Sequence, residues 1–350
     1  LALSSNYTLY ADMSNRVMDI LRSYSPICQI YSIDECFLDL TGIPKIREVS
    51  YHIKERIMKW TGIPVCVGIG PTKTLSKLAN FIAKKHPRSK GVFNYNDLNK
   101  IQQEKILNQI SVSEVWGVGK KFSIQLKARN IKTVNDLKKA HIPTLRKSFG
   151  VVMEKIQREL NGVTCFDLDD TVPNRKQIIS SRSFGKSIKD INSLKDAVSN
   201  FANNASEKLR LQQSHASIIQ VFLKTNRFRK NKPQYMPSLS ISLPQPTNDS
   251  IVISRWSNHL VEKIFKPEYE YKKAGIILNE ISPITFHQRD WLESTASNNS
   301  DLMNVMDTLN KKFGRGTVQT SSHGLYKDWK MKQERKSPSY TTDWDSIPKV

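Results

Sequence analysis

Residues 29–40, QIYSIDECFLDL, constrain the fold more than any other stretch of the chain. Asp34 and Glu35 stand side by side inside a β-prone, largely apolar run. In a straight strand, adjacent side chains point to opposite faces. A tight hairpin at this point lets both carboxylates converge on one cation instead. A hard divalent ion such as Mg²⁺ takes oxygen ligands and is often held by one or two carboxylates plus substrate phosphates. An acidic surface turn is the plain alternative for an isolated Asp-Glu pair, because turns favour Asp.

The charge balance bears on which alternative holds. Lys plus Arg number 54 against 32 Asp plus Glu, a formal net charge of +22. Such an excess points to a polyanionic partner, nucleic acid or an anionic membrane. No apolar run approaches the ~20 residues of a spanning helix, and no signal peptide is visible. Nucleic acid and a cytoplasmic location are therefore expected, with no membrane. Cys28, Cys36, Cys66 and Cys165 form no CxxC pair and have no His cluster beside them. They read as reduced, mostly buried thiols rather than a zinc site. The chain opens on Leu1 rather than Met, so a preceding segment is expected. Its length leaves room for about two to four domains of ~100–200 residues.

Helical periodicity predicts a helix over residues 9–24 and another after Pro44 carrying Ile46, Val49, Ile53, Ile57 and Trp60. Ile63, Val65, Val67 and Ile69 alternate as in a strand. Gly70 and Pro71 end that strand, and a helix is expected from Thr72 to about Lys85. At 100° per residue, Lys73, Lys77 and Lys84 fall within a stripe of roughly 40°. Leu75, Leu78, Ala79 and Ile82 lie on the other side. A solvated lysine face is the ordinary explanation for such a stripe. Beside a metal site it would suit a triphosphate and a DNA backbone. A basic loop over residues 86–90 and a short helix over 100–109 follow.

In residues 112–121, VSEVWGVGKK, Gly117 and Gly119 flank Val118 between two short helical patterns. Glycines at a helix start let backbone N–H groups approach a phosphate, and Lys120 and Lys121 add charge without reading sequence. An ordinary glycine turn is the alternative. Residues 142–160 read as continuing helix. Residues 164–173 are acidic and irregular, with Asp167, Asp169 and Asp170, and read as a linker. Strand and helix signals then run in the order βαββαβ to about residue 279, the pattern of split βαβ units in a ferredoxin-like fold. Arg182, Lys186, Lys224, Arg227, Arg229 and Lys230 are candidate phosphate contacts there. Beyond Ser282 the chain turns polar, with a short amphipathic helix over residues 301–313.

YSIDECFLDLTG resembles the second catalytic motif of Y-family translesion DNA polymerases. YADMSNRVM and VWGVGKK narrow the resemblance to the UmuC-like catalytic subunit of bacterial DNA polymerase V. It implies an α+β, multidomain chain. Its parts would be a partial palm (1–105), a helical thumb with a helix-hairpin-helix (106–166), a linker (167–176), a ferredoxin-like little finger (177–282) and a C-terminal extension (283–350). By the same resemblance Asp34 is a metal ligand, Glu35 assists the Mg²⁺ nearest the primer terminus, and Lys84 meets the incoming dNTP. Lys73 and Lys77 match positions near DNA. Primer–template DNA, a processed UmuD dimer, RecA and the sliding clamp are the implied partners. Gln288, Trp291 and Leu292 resemble the clamp-binding peptide, although the family pattern usually ends Leu-Phe. The family's further metal-binding Asp, its nucleotide-gating aromatic and its fingers precede the region matched here. This chain by itself is therefore expected to bind primer–template DNA and to extend it weakly or not at all.

Three readings stand on the sequence. One is an error-prone translesion polymerase of SOS DNA repair. Another is a non-catalytic remnant that binds DNA or the clamp. The third is a structure-specific repair nuclease using the acidic pair with the glycine turn.

Overall fold

The computed structural model describes residues 2–168, 174–286, 299–314, 316–320, 329–331 and 333–347. The chain divides into two units, Leu1–Val172 together with Arg335–Val350, and Pro173–Glu334.

In the first unit, helix α1 spans Tyr7–Arg22. The fully buried Asn6 caps it, its side-chain oxygen accepting from Leu9 N at 3.3 Å. The amide of the same side chain donates to the carbonyl of Ser337 at 3.0 Å, so one residue holds both the helix start and the end of the chain. Strands β1 (Cys28–Ile30) and β2 (Cys36–Leu38) form an antiparallel hairpin. Helix α2 (Ile46–Thr61) packs Ile53 and Ile57 against Ile20 of α1, with Leu38 and Leu40 over them. The alternation from Ile63 yields only a short strand, β3 (Val67–Ile69). It pairs in parallel with β4 (Val92–Asn94) after the crossover helix α3 (Lys73–Lys85). Strand β4 falls just after the stretch read as a basic loop. The two pairs are separate two-stranded sheets.

Helix α3 serves two structures. Its apolar side, Leu75, Leu78, Ala79 and Ile82, joins the core of the helical segment that follows. That segment contains α4 (Lys100–Gln109), α5 (Lys120–Ala128), α6 (Val134–Lys139), α7 (Ile142–Phe149) and α8 (Val151–Leu160). The continuous helix expected over residues 142–160 is two helices, because Gly150 takes φ +83° between them. What precedes the Gly117–Gly119 turn is a single 3-10 turn at Val112–Glu114 rather than an α-helix.

The second unit has strands β5 (Ile178–Ile188), β6 (Ser214–Thr225), β7 (Ser238–Thr247) and β8 (Tyr271–Pro283), with α9 (Ile191–Leu211) and α10 (Ser250–Ile264). The expected βαββαβ order along the chain is present. In the sheet the order is β5-β8-β6-β7, every pair antiparallel. The strand inserted between β5 and β6 is thus the last one, whereas a ferredoxin inserts its third. The two helices pack together over one side of the sheet, burying Leu194, Phe201, Ile253, Leu260, Ile276 and neighbours.

The polar stretch beyond Ser282 contributes Trp329 to this core. Helix α11 (Ser300–Phe313) buries Met303 and Met306. It is locked by Arg210, which donates from Nε and Nη2 to the Asp307 carboxylate at 2.6 and 2.8 Å. Trp329 sits among Phe184 and Phe201 with ring centroids 6.1 and 5.6 Å away, and its carbonyl accepts from Gly185 N at 3.0 Å. Trp329→Ala is expected to destabilise this unit by ~3 kcal/mol, the low end for a buried Trp. The low end applies because the buried indole N–H has no acceptor among the described residues. Urea unfolding followed by near-UV circular dichroism reads this as a lower midpoint. An unshifted midpoint would remove Trp329 from the core.

Candidate active site

The β1–β2 register pairs Cys28 with Leu38, Gln29 with Phe37 and Ile30 with Cys36. Tyr31 N and Ser32 N both donate to the Glu35 carbonyl, at 3.0 and 3.1 Å, so the chain reverses over Ser32, Ile33 and Asp34. The Ser14 hydroxyl of α1 donates to the Ile33 carbonyl and pins the tip. Asp34 is exposed there. Its carboxylate accepts from the Ser32 hydroxyl, and its N–H donates back to Ser32 Oγ at 3.3 Å. Glu35 lies next to the strand and forms an ion pair with the Lys77 ammonium. The hairpin expected from the sequence is present, with the Asp34 carboxylate against the Ser32 hydroxyl and that of Glu35 against the Lys77 ammonium.

The lysine face of α3 meets this hairpin. Lys73 donates to the Gln29 side chain and to the Asp167 carbonyl, with its ammonium 5.4 Å from the Phe37 ring centroid. The Lys77 ammonium lies 5.3 Å from the Tyr31 centroid. Both lysines, expected near DNA, are thus engaged inside this unit. Lys84 stands apart. At 1.5 Å per residue it is about 10 Å farther along the helix than Lys77. It is exposed and forms no ion pair among the described residues. The structure brings Lys73 and Lys77 to the acids and leaves Lys84 beyond them.

An aromatic cluster holds the arrangement, and the sequence reading missed it. Trp116 Nε1 donates to the Tyr31 hydroxyl at 3.0 Å. Its ring lies 5.6 Å from Tyr31, 5.8 Å from Phe37 and 5.5 Å from Phe166. Edge-to-face pairs of this kind add to simple burial. They fasten the acidic hairpin to the residue just before Gly117. The available signal was the spacing of aromatic residues around both motifs, Tyr31 and Phe37 about the acids and Trp116 before the glycines.

Gly117 takes φ +87°, and a Cβ there would lie 2.7 Å from Ile156 Cδ1. The left-handed backbone there favours glycine, and a side chain would have to displace the end of Ile156. Gly119 differs: a Cβ on it would meet nothing within 4 Å. It is the N-cap of α5 and supplies no side-chain cap. Gly119, Lys120 and Lys121 are all exposed.

Asp39 has a structural use. It accepts from Thr41 N at 2.9 Å, and its hydrogen bonds to Thr41 hold the carboxyl below the usual range. The cysteines are half-buried rather than mostly buried. Cys28 and Cys36 meet across the hairpin with sulfurs 3.2 Å apart, and burial, then the Cys28 neighbour, pushes the Cys36 thiol up. In the second unit, Arg182 is exposed opposite Ala274, on the side of the sheet that carries the helices. Gln288, Trp291 and Leu292 lie outside the described residues.

The hairpin donors suit a hard divalent cation. They are carboxylate oxygens, and Asp34 presents its own at an exposed tip. Glu35 would have to exchange the Lys77 ammonium for the ion. No group of three His, Cys, Asp or Glu side chains placed to hold a metal occurs among the described residues. A hard ion held by one or two carboxylates takes the rest of its shell from phosphate and water.

Known proteins share this chain's sequence and fold. Residues 1–80 match the impB/mucB/samB family, residues 175–291 match the impB/mucB/samB family C-terminal domain, and residues 300–350 match a domain of unknown function, DUF4113. Protein UmuC of Salmonella typhimurium is 39% identical over 99% of this chain and 83% of its own length. Protein ImpB of Salmonella typhimurium is 37% identical over 99% and 82%. A DNA polymerase IV of Clostridium acetobutylicum is 25% identical over 92% of this chain and 78% of its own. Among solved structures, the Y-family DNA polymerase chimera Dbh-Dpo4-Dbh matches with a TM-score of 0.60 at 19% identity, covering 79% of this chain and 78% of that one. The chain belongs to the impB/mucB/samB family and is UmuC-like.

Proposed function

We propose that this chain is the DNA- and nucleotide-binding body of an error-prone translesion DNA polymerase acting in SOS repair. The observation that carries the reading is the Asp34–Glu35 hairpin, held by Lys77 and Trp116 against the lysine face of α3. Polymerases of this family work with divalent metal ions, and Mg²⁺ is the ion proposed here. Asp34 and Glu35 would hold it. When bound, it supplies charge neutralisation to a triphosphate whose transfer is mostly a matter of positioning.

The chain's own residues do the rest. Lys77 keeps the Glu35 carboxylate oriented until substrate arrives, and Lys84 offers an exposed ammonium to phosphate farther along the same helix. The first-turn N–H groups of α5, behind a glycine whose hydrogen occupies no packed space, face a DNA phosphate, with Lys120 and Lys121 beside them. In the second unit the uncovered side of the sheet displays Ser181, Ser183, Ser238 and Ser240 with Lys224 and Lys273, by the strand register. Small hydroxyls and cations of this sort grip a backbone without reading bases. That tolerance suits damaged templates. The processed UmuD dimer, RecA and the sliding clamp are proposed as partners on family likeness alone.

Primer extension across an abasic site tests the reading. Weak incorporation opposite the lesion, with frequent mispairing on undamaged template, is expected of this chain by itself. Cutting of branched DNA without any incorporation would favour the nuclease instead. Replacing Lys120 and Lys121 together by Ala should weaken primer–template binding regardless of sequence. It should also flatten the slope of log K against log salt by about 1.8, since each phosphate contact contributes ~0.9. An unaltered slope would take the two lysines off the DNA.

A further inference from the structure

The loop between β6 and β7 carries an apolar ring turned to solvent. Phe228 is 79% exposed. The loop that presents it is firmly built. Asn226 Oδ1 accepts from Phe228 N at 3.1 Å, Arg229 N donates to the Asn226 carbonyl at 3.0 Å, and Lys232 N donates to the Arg229 carbonyl at 3.1 Å. Gln234 Nε2 reaches the carbonyls of Asn226, Arg229 and Lys232 at 3.2, 3.1 and 3.1 Å. Gln234 Oε1 in turn accepts from the Thr225 hydroxyl at 2.9 Å. Lys232 and Arg229 also pair with Glu270, at 2.8 and 3.6 Å. A ring held outward by so many internal bonds is preorganised for a partner, because the ordering cost is met before binding.

The chemistry around the ring says what that partner is. Residues 226–234, NRFRKNKPQ, contain no carboxylate. Arg227 places its guanidinium 4.9 Å from the Phe228 ring centroid. Arg227 and Lys230 are exposed and form no ion pair among the described residues. An aromatic face amid unpaired cations is the combination that binds single-stranded nucleic acid, with the base stacking and the cations following the backbone. A base inside a duplex has both faces covered by its neighbours, so a lone protein ring can stack only on one that has left the helix.

We propose that Phe228 is a stacking platform for an unpaired nucleobase of the template strand, with Arg227 and Lys230 on its flanking phosphates. The proposal rests on the DNA-polymerase reading above. It adds a contact to unpaired template that a backbone grip on duplex does not provide.

The test compares the protein with Phe228→Ala and Phe228→Trp on three probes. These are a primer–template whose single-stranded overhang contains 2-aminopurine, a blunt duplex of the same length, and phosphatidylserine-containing vesicles. Because the side chain is exposed, all three proteins should share one thermal midpoint. Phe228→Ala should bind the overhang substrate about tenfold more weakly and the blunt duplex equally well, and the 2-aminopurine emission change should vanish. Phe228→Trp should retain both. Unchanged overhang affinity in Phe228→Ala overturns the proposal, as does an equal loss on blunt duplex. So does a loss confined to vesicles, which would make the loop a membrane contact. If the unsubstituted protein binds neither DNA probe, the polymerase reading fails and this proposal with it. A failure of stacking alone leaves DNA binding intact, so the two are distinguishable.

Discussion

Replacing Asp34 by Ala is expected to cut the weak metal-dependent primer extension of this chain by about 10³-fold, close to 4 kcal/mol of barrier. That is the scale of the several kcal/mol a bound cation supplies to phosphoryl transfer. The reason lies in the hairpin. Asp34 is exposed at the tip, and among the described residues its side-chain partner is the Ser32 hydroxyl. No core contact is lost on truncation, so the thermal midpoint should stay put and primer–template affinity should not fall. Glu35→Gln is expected to be milder. It breaks the ion pair with Lys77, but it leaves Asp34 in place. A protein that extends primers equally well without the Asp34 carboxylate would not be using this hairpin for chemistry.

Glu159→Ala should unfold the first unit far more readily, by ~5 kcal/mol, although the residue touches none of the proposed substrates. Glu159 is fully buried. Its carboxylate accepts from Thr74 N at 2.9 Å, Cys165 N at 2.9 Å and Phe166 N at 3.1 Å. Each buried N–H left without an acceptor costs ~1–3 kcal/mol, and bonds to a charged acceptor sit at the stronger end. The carboxylate also lies at the N-terminus of α3, where negative charge is favoured. One side chain thus fixes the start of the lysine-bearing helix and the segment carrying Phe166 and Asp167, which contact Trp116 and Lys73. Chemical denaturation measures the loss. Glu159→Gln keeps the volume and one acceptor, and should lose less. A cost below ~1 kcal/mol for the Ala variant would mean that water replaces the carboxylate freely.

Much of the arrangement was legible in the residues. The heptad-like spacing of Ile53 and Ile57 and the lysine stripe of α3 follow from local periodicity, and the helices formed where that periodicity lies. The acidic hairpin was legible because Asp favours turns and Asp-Glu is disfavoured in the middle of a β-prone run. Other features depend on contacts distant in sequence. Lys73 and Lys77 read as solvent-facing on a wheel, which says nothing of Gln29, Glu35 and Asp167 opposite them. Trp116 and Tyr31 meet across 85 positions of sequence. Gly150 was legible as a glycine but not as a break, since only its positive φ separates α7 from α8. The place of β8 between β5 and β6 is a choice of pairing that strand signals do not encode. Trp329 belongs to the core of the second unit through a polar stretch with no periodicity of its own.

The account stands on the two hairpin acids holding a divalent ion together with a nucleotide's phosphates. Titration of Mn²⁺ followed by electron paramagnetic resonance, with primer–template and a non-hydrolysable dNTP present, measures that directly. Tight Mn²⁺ binding that requires the nucleotide, is lost in Asp34→Ala and is weakened in Glu35→Gln is the predicted result. Equal nucleotide-dependent binding by all three proteins would contradict it.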